Sequence, residues 1–386
     1  MSWYAFRAIP SWFWSLRHSI MSSIISSLKE LHRLLAGTSA GFASWRMPGQ
    51  QEPVTIVSTG GCQTLPDVLP ADQNSGFILA PFLPGKPASW LNADLTFNGF
   101  TFPEVAVEKY PAAAETPSSF PFEATREEYL TQLRKVIARL RDGEAQKVVL
   151  SRTISISFPN LTDANMLFHE LCRMYPDAFV YLAGLPGKGL WAGATPEVLL
   201  KAGDGNISTM ALAGTRKVGT TGYWGEKEIA EHEWVSRYIN ENLEAAGATG
   251  ISVTGPETIT AGKAEHLRTG FMAMLPQKNL SALIRALHPT PAVCGWSKEK
   301  ALKIIADTEK YDREYYAGYL GPINSGGNTN LFVNLRCMQI KGRKGILYAG
   351  GGITAASDPE AEWEETVLKS STILAATGKF LNLAYS

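Results

Sequence analysis

The chain is 386 residues long and carries 36 basic and 36 acidic side chains, a formal net charge of zero at neutral pH. That length can bury a substantial core in one large domain or two smaller ones. The lysines and arginines form no long block, so the electrostatic footprint of a nucleic-acid-binding protein is missing and a small molecule is the expected partner.

Cys62, Cys172, Cys294 and Cys337 have neither CxxC nor Cys/His ligand spacing, which argues against a zinc site or a disulfide framework and points to a cytoplasmic protein, expected to be a monomer. No run of about 18 apolar residues marks a membrane span. The opening MSWYAFRAIPSWFWSLRHSI is aromatic and carries Arg7, Arg17 and His18, but it lacks a compact apolar stretch with a small-residue cleavage site and does not read as a signal peptide. Pro10 interrupts any amphipathic surface helix there. Residues 1–20 are therefore expected to be a disordered tail or a mis-assigned start, with Met21 opening one domain that runs to residue 386.

A helix is predicted over residues 22–35. From there to about Pro121 the chain is rich in Pro and Gly, and the apolar runs 54–57 and 76–79 read as strands joined by turns. At Thr125 the texture changes: TREEYLTQLRKVIARLRDGEA opens with an N-cap threonine and Glu128 three residues later, repeats apolar positions at helical spacing and stops at Gly143. A strand from Lys147 to Phe158 follows, then a helix over 164–175 and strands over 178–184, 190–195 and 198–201. Helices cover 226–246 and 298–306, strands return at 329–340 and 345–348, and a last helix covers 358–379. No internal repeat or linker divides the chain. Strands that come in hairpin-like neighbours, rather than in strict alternation with helices, favour an α+β fold with largely antiparallel sheets.

On the last predicted helix Glu362, Glu365 and Lys369 stand at i, i+3 and i+7, one face of a 3.6-residue repeat. A solvated face laced with salt bridges is the competing account. Just upstream, Ala349-Gly350-Gly351-Gly352 would let backbone N–H groups approach an anion closely. The helix containing GEKEIAEHEWVSRYI offers a second pair, Glu228 and Glu231, and two such helices could hold a divalent ion between them. Oxygen-only carboxylate ligands suit Mg²⁺, so the neighbouring His232 reads as a structural hydrogen-bonder. Lys147 stands directly before VVL at a strand start, where a buried amine could serve as a general base and a solvated lysine is the alternative. Glu197, between two strands in Thr195-Pro196-Glu197, could be a general acid if burial raises its pKa, or an exposed turn residue. Arg336, inside VNLRCMQI, would if buried require a carboxylate that it can grip in bidentate fashion; an edge-strand arginine is the other possibility.

In order along the chain, KVVLSR at Lys147, TPEVLL at Thr195, ALAGTRK at Ala211, EKEIAEHE at Glu226, EHLRT at Glu265, LHPTPAVCG at Leu287, YDREYYAG at Tyr311, VNLRC at Val333 and AGGGITAASDPEAEWEET at Ala349 resemble the blocks of the chorismate-binding enzymes. That family includes isochorismate, salicylate, anthranilate and aminodeoxychorismate synthases. The resemblance covers residues 125–386 and implies a fold like that of anthranilate synthase component I, with two largely antiparallel sheets packed together and helices outside. It implies that Glu231 and Glu365 are the principal Mg²⁺ ligands, supported by Glu228 and Glu362. Tyr316, Arg336, Gly350, Gly352 and Lys369 would hold the carboxylates of chorismate by side chain or backbone, with Gly214 and Thr215 near its ring and His266 at the edge of the site.

Family members that add water resemble this chain in having lysine at the position of Lys147, whereas those that add ammonia have glutamine there. The aminodeoxychorismate branch carries a lysine nucleophile where this chain has Ala213. The resemblance thus implies that Lys147 takes a proton from a water attacking C2, that Glu197 protonates the departing 4-hydroxyl, and that chorismate becomes isochorismate reversibly, with Mg²⁺ as template and Lewis acid. Salicylate synthases share the lysine and go on to eliminate pyruvate, so they are the alternative. LAGTRK and REYYAG favour the plain isochorismate synthases, but Tyr316 stands where those commonly have phenylalanine and the salicylate branch tyrosine. A non-catalytic or amidotransferase-partnered subunit is the alternative of another class. FASWRMPGQ is similar to the opening strand of menaquinone-type isochorismate synthases, which points to quinone rather than siderophore biosynthesis.

Overall fold

Along Phe179–Leu185 every residue is buried, and the apolar side chains alternate between two hydrophobic clusters: Phe179, Tyr181, Ala183 and Leu185 enter one, Val180 and Leu182 the other. That period of two is the signature of a strand covered on both faces. The computed structural model describes residues 22–70, 74–114, 121–158, 162–261 and 264–378; the expectations for residues 1–20 and for the helix end at residue 379 lie outside these.

Among the described residues two nine-stranded sheets dominate, and every strand pair is antiparallel. The first sheet runs Gly295–Trp296, Lys147–Ser157, Lys344–Thr354, Cys337–Lys341, Gly189–Thr195, Phe179–Leu185, Gly41–Arg46, Val54–Ser58, Leu95–Asn98. The second runs Thr249–Ala261, Ala264–Met274, Asn206–Lys217, Val198–Gly203, Thr329–Val333, Tyr319–Ile323, Gly76–Ala80, Ala88–Asn92, Gln63–Leu65. Their inner faces meet through aromatic rings: Phe179 of the first sheet stacks on Phe332 of the second at 4.0 Å between centroids, and Trp45 meets Phe77 at 5.4 Å.

Among the described residues seven α-helices surround them: α1 (Leu28–Leu35), α2 (Arg126–Arg141), α3 (Thr162–Met174), α4 (Glu226–Ala245), α5 (Leu280–Leu287), α6 (Lys298–Thr308) and α7 (Pro359–Thr377). α1, α3 and α7 cover the outer face of the first sheet through Leu31, Phe168 and Ile373, while Val235 and Ile239 of α4 share the main core with Ala211 and Phe271 of the second sheet. α2 begins where predicted, with Thr125 and Glu128 capping each other reciprocally. The α+β architecture with helices outside two antiparallel sheets is as expected.

Two predicted elements are corrected. Residues 22–35 are not one helix: Ser22–Ser27 is a strand paired with Thr101–Glu108, and the helix starts only at Leu28. Apolar spacing across Ile24, Ile25, Leu28 and Leu31 imitates a helix, yet Ile24 is 72% exposed, and Ser27 caps the shorter helix by a capping box with Glu30. The stretch 329–340 is likewise two strands, Thr329–Val333 in the second sheet and Cys337–Lys341 in the first. The chain passes between sheets at Asn334-Leu335-Arg336, and Arg336 sits at φ +47°, a left-handed value no strand interior adopts.

Asn334 fixes that passage. Its buried amide donates to Tyr315 O at 2.9 Å and accepts from the Tyr181 hydroxyl at 2.7 Å, while its main chain bonds Gly318 O and Ala317 N. Asn334→Ala takes the acceptor from the buried Tyr181 hydroxyl and one of two donors from Tyr315 O, which keeps Gly318 N–H, and should destabilise the fold by about 1–3 kcal/mol, measured by urea denaturation; a change below about 0.5 kcal/mol would show that the passage holds without it.

Candidate active site

Lys147–Ser157 pairs with Lys344–Thr354 along its whole length, which sets Gly350, Gly351 and Gly352 opposite Ser151, Leu150 and Val149. The N–H groups of Val149 and Ser151 bond Cys294 O and the Glu309 carboxylate, away from the glycines. Gly352 and Gly350 are therefore in the non-hydrogen-bonded pairs of this ladder, and their own N–H and C=O groups point to the opposite edge. On that edge the pairing with Cys337–Lys341 has already ended at Leu347. The Gly350 carbonyl accepts there from Lys369 Nζ at 2.9 Å, and the N–H groups of Gly350 and Gly352 face the same way.

Glycine is needed here for space as well. A Cβ on Gly352 would lie 2.7 Å from Lys147 Cε and 3.2 Å from Glu231 Oε2, and one on Gly350 would lie 2.9 Å from the Tyr316 hydroxyl. Lys147 is only 2% exposed, and its Nζ lies 3.3 Å from Glu231 Oε2. The solvated strand-end alternative for Lys147 therefore falls.

Helices α4 and α7 supply the carboxylates. α7 starts cleanly because Asp358 caps Ala361 N–H and Pro359 takes the first turn. Glu362 Oε1 accepts from Lys227 Nζ and Ser357 Oγ, each at 2.6 Å, while its Oε2 is buried with no partner, as is Glu231 Oε1. Burial and the neighbouring Glu365 push the Glu362 carboxyl up. Burial also opposes ionisation of Glu365, but Lys369 at 2.5 Å, with Lys227 and Lys147, outweighs it and holds that carboxyl below its ordinary value. Among the described residues no three His, Cys, Asp or Glu side chains gather closely enough to hold a metal on their own.

Where the chain passes between sheets, burial pushes the Glu197 carboxyl up to about 8 against the pull of Lys147, Arg336 and Lys369. Arg336 lies beside it in the cleft, and among the described residues no carboxylate pairs with its guanidinium. Gly214, at φ +72°, and Thr215 form the irregular step between Ala213 and Arg216 in their strand. Gly214 O accepts from His266 Nδ1 at 2.9 Å, so the ring proton sits on Nδ1 and the buried Nε2, which has no partner, carries the lone pair. Burial, with Arg336 adding, pushes that imidazole down to about 4, so it is neutral at physiological pH.

One cleft, with about 870 Å³ of empty space counting its mouth, brings together Lys147, Glu197, Gly214, Thr215, Glu228, Glu231, His266, Tyr316, Arg336, Gly350, Gly352, Glu365 and Lys369. Glu362 alone of the expected residues is not among those that line it, and its Oε2 lies by Gly351 next to Glu365. Lys227, which also lines the cleft and ties α4 to α7 through Glu362, is absent from the expectations. It stands four residues before Glu231 on the same helical face, which is the signal that could have found it.

A two-sheet α+β fold around a cleft of buried acids, lysines and an arginine that no carboxylate among the described residues pairs defines a protein that works on a small anion. The description "chorismate binding enzyme" matches residues 102–378, and the chain belongs to that family. It is similar to isochorismate synthase EntC of Escherichia coli K12, 34% identical over 246 residues, which are 61% of this chain and 63% of that protein; the match thus spans less than two thirds of the relative. It shares its fold with MenF, the menaquinone-specific isochorismate synthase of E. coli, at a TM-score of 0.74 and 22% identity over 92% of this chain and 94% of the other. Anthranilate synthase component I of Streptococcus pneumoniae follows at a TM-score of 0.60 and 17% identity over 96% and 94%.

The crowding over the glycine strand is directly testable. Gly352→Ala should destabilise the protein by about 1–3 kcal/mol in urea, because Lys147 and Glu231 must move. Gly60→Ala, whose added Cβ meets nothing within 4 Å, should stay within about 0.5 kcal/mol. Equal effects at the two positions would refute the crowding.

Proposed function

We propose that the chain is an isochorismate synthase that converts chorismate to isochorismate reversibly by attack of water at C2 and loss of the 4-hydroxyl. The observation that carries this reading is one cleft holding a buried lysine, Lys147, and a buried carboxyl with a pKa near 8, Glu197. Lys147 takes a proton from the attacking water. Glu197, protonated at neutral pH, gives its proton to the departing hydroxyl, so that water is consumed at one carbon and released at another.

Chorismate is a dianion. Arg336, without a carboxylate partner of its own, the Gly350 and Gly352 N–H groups and Lys369 suit its carboxylates. The neutral His266 offers Nε2 as an acceptor to a hydroxyl. Glu231 and Glu365 would be the principal ligands of Mg²⁺, with Glu228 and Glu362 supporting directly or through water and substrate oxygens completing the set: they are oxygen donors on α4 and α7, and two buried oxygens, Glu231 Oε1 and Glu362 Oε2, have no protein partner. When bound, the ion would act as a template and Lewis acid for the ring carboxylate. Free cysteines at all four positions support a cytoplasmic protein, no helix among the described residues is long and apolar enough to cross a membrane, and the small-molecule chemistry requires no second subunit. The likeness of FASWRMPGQ to menaquinone-type enzymes supports quinone biosynthesis as the destination of the product.

Purified protein incubated with chorismate, with Mg²⁺ or with EDTA, should form isochorismate only with the metal, as read by chromatography. Salicylate plus pyruvate as main products would move the assignment to salicylate synthase, the reading that Tyr316 favours, and a requirement for ammonia would sink both. The proton inventory makes a separate prediction. Because Glu197 must be protonated, kcat/KM should fall about tenfold per pH unit above about pH 8. Glu197→Gln should lose about 10²–10⁴-fold in kcat while still binding chorismate; near-normal turnover in that variant would remove Glu197 as the acid.

A further inference from the structure

The strand that carries Lys147 has a short partner on its outer edge. Gly295–Trp296 pairs only with Val148 and Lys147, which leaves the next residues without a strand on that side. A buried ion pair takes over there. Glu309 and Arg313 are 8% and 2% exposed and bonded to each other, Arg313 Nε to Glu309 Oε2 at 2.8 Å and Nη2 to Oε1 at 2.6 Å. Both also hold the strand: Glu309 Oε1 accepts from Ser151 N at 2.7 Å and Ser151 Oγ at 2.8 Å, and Arg313 Nη2 donates to Val149 O at 2.6 Å.

The same guanidinium reaches further. Its Nη1 donates to Val293 O at 3.1 Å, on the segment that also takes Val149 N–H through Cys294 O. Its Cζ lies 4.3 Å from the centre of the Phe82 ring and 5.8 Å from that of Tyr316. A buried pair adds little net stability over apolar side chains of the same volume, but its directed bonds fix the groups around it. These bonds fall on residues 149 and 151, two and four places beyond Lys147 and on the same edge as its own pairing to Trp296.

We infer that Glu309 and Arg313 are positioning residues for the Lys147 amine: they pin the edge of its strand and so set how far that amine reaches into the cleft. Neither side chain lines the cleft, so their effect on the reaction passes through what they hold: the strand of Lys147 through directed bonds, and the Tyr316 ring only by a contact at 5.8 Å. The inference rests on Lys147 being the base of the proposed reaction. It separates from a general packing role because misplacing one reacting group slows the chemical step and leaves the carboxylate contacts at Arg336 and Lys369 intact. A misplacement of the order of 1 Å can cost about a hundredfold in rate.

The test compares wild type, Arg313→Lys and Ser151→Ala with saturating Mg²⁺, measuring kcat and KM for chorismate together with circular dichroism. Arg313→Lys keeps the charge and loses the fork, so kcat should fall about tenfold to a hundredfold with KM within about threefold of wild type. Ser151→Ala removes only the hydroxyl bonds to Glu309 and Tyr311, and should lower kcat about threefold to tenfold at unchanged KM. A folded Arg313→Lys with wild-type kcat, or with kcat and chorismate affinity falling together, overturns the inference. If Arg313→Lys does not fold, Ser151→Ala decides by the same split. Failure of the wild type to make isochorismate would instead sink the proposed reaction itself.

Discussion

Two neighbouring strands change sheets side by side, and the rest of the architecture depends on that paired crossing. Gly189–Thr195 lies next to Cys337–Lys341 in the first sheet, and after the crossing Val198–Gly203 lies next to Thr329–Val333 in the second. Three bonds keep the strands together as they cross: Ala194 N to Arg336 O at 3.1 Å, Thr195 Oγ1 to Val333 O at 2.6 Å and Val333 N to Glu197 O at 3.0 Å. Leaving one sheet without entering the other would expose unpaired main chain to the interior, a cost of several kcal/mol. Glu197 and Arg336 are the residues at the two crossing points, so one constraint on main-chain hydrogen bonding delivers an acid and an anion anchor to the same place.

The glycine strand completes that arrangement from the other side. A run of three glycines is a poor strand by propensity, but here it borders Lys147–Ser157, whose apolar Val148, Val149 and Leu150 are firmly packed. The favourable strand carries the unfavourable one. In exchange, bare main chain meets the cleft with two N–H groups, and Lys147, Glu231 and Tyr316 occupy the volume that side chains would have taken. Local propensity and global fold conflict at this point, which is where a functional site is expected to break the local rules.

Much of this was legible in sequence, for physical reasons that differ by element. α2 announced itself through Thr125 and Glu128, and the buried strand 179–185 through its continuous apolar run. The carboxylate pairs on α4 and α7 followed from helical spacing, but spacing alone could not distinguish a cleft from a solvated face; it took the resemblance in nine ordered blocks, and then burial of Glu231 and Glu362 to 7% and 2% exposure, to separate them. Arg336 was read as a strand residue because VNLRCMQI is apolar on both sides of it, and only the tertiary crossing, with Asn334 as its clamp, forces the left-handed turn. The hairpin Thr249–Ala261 with Ala264–Met274 was missed because apolar side chains also stand on its outer face: Val253, Met272 and Met274 are 53%, 59% and 56% exposed while Leu267, Phe271 and Ala273 are buried, so the sequence shows no clean apolar–polar alternation. Glu309 and Arg313 gave no signal beyond an ordinary i, i+4 pair.

The charges of the cleft bear on when Glu197 is protonated. Burial raises its pKa, and Lys147, Arg336 and Lys369 each pull it down, leaving a value near 8 without a ligand. On the proposed reading, the carboxylates of chorismate settle on Arg336 and Lys369 and cancel two of those three pulls, while the ring displaces water and deepens the burial. Both changes act in one direction and raise the carboxyl further. Substrate binding would thus tighten the hold of Glu197 on the proton it is about to give up. The pH dependence of kcat reports the complex and that of kcat/KM the free enzyme. The alkaline limb of kcat should therefore lie at higher pH than that of kcat/KM, and coincident limbs would mean that the anionic groups of the substrate do not rest on those two cations.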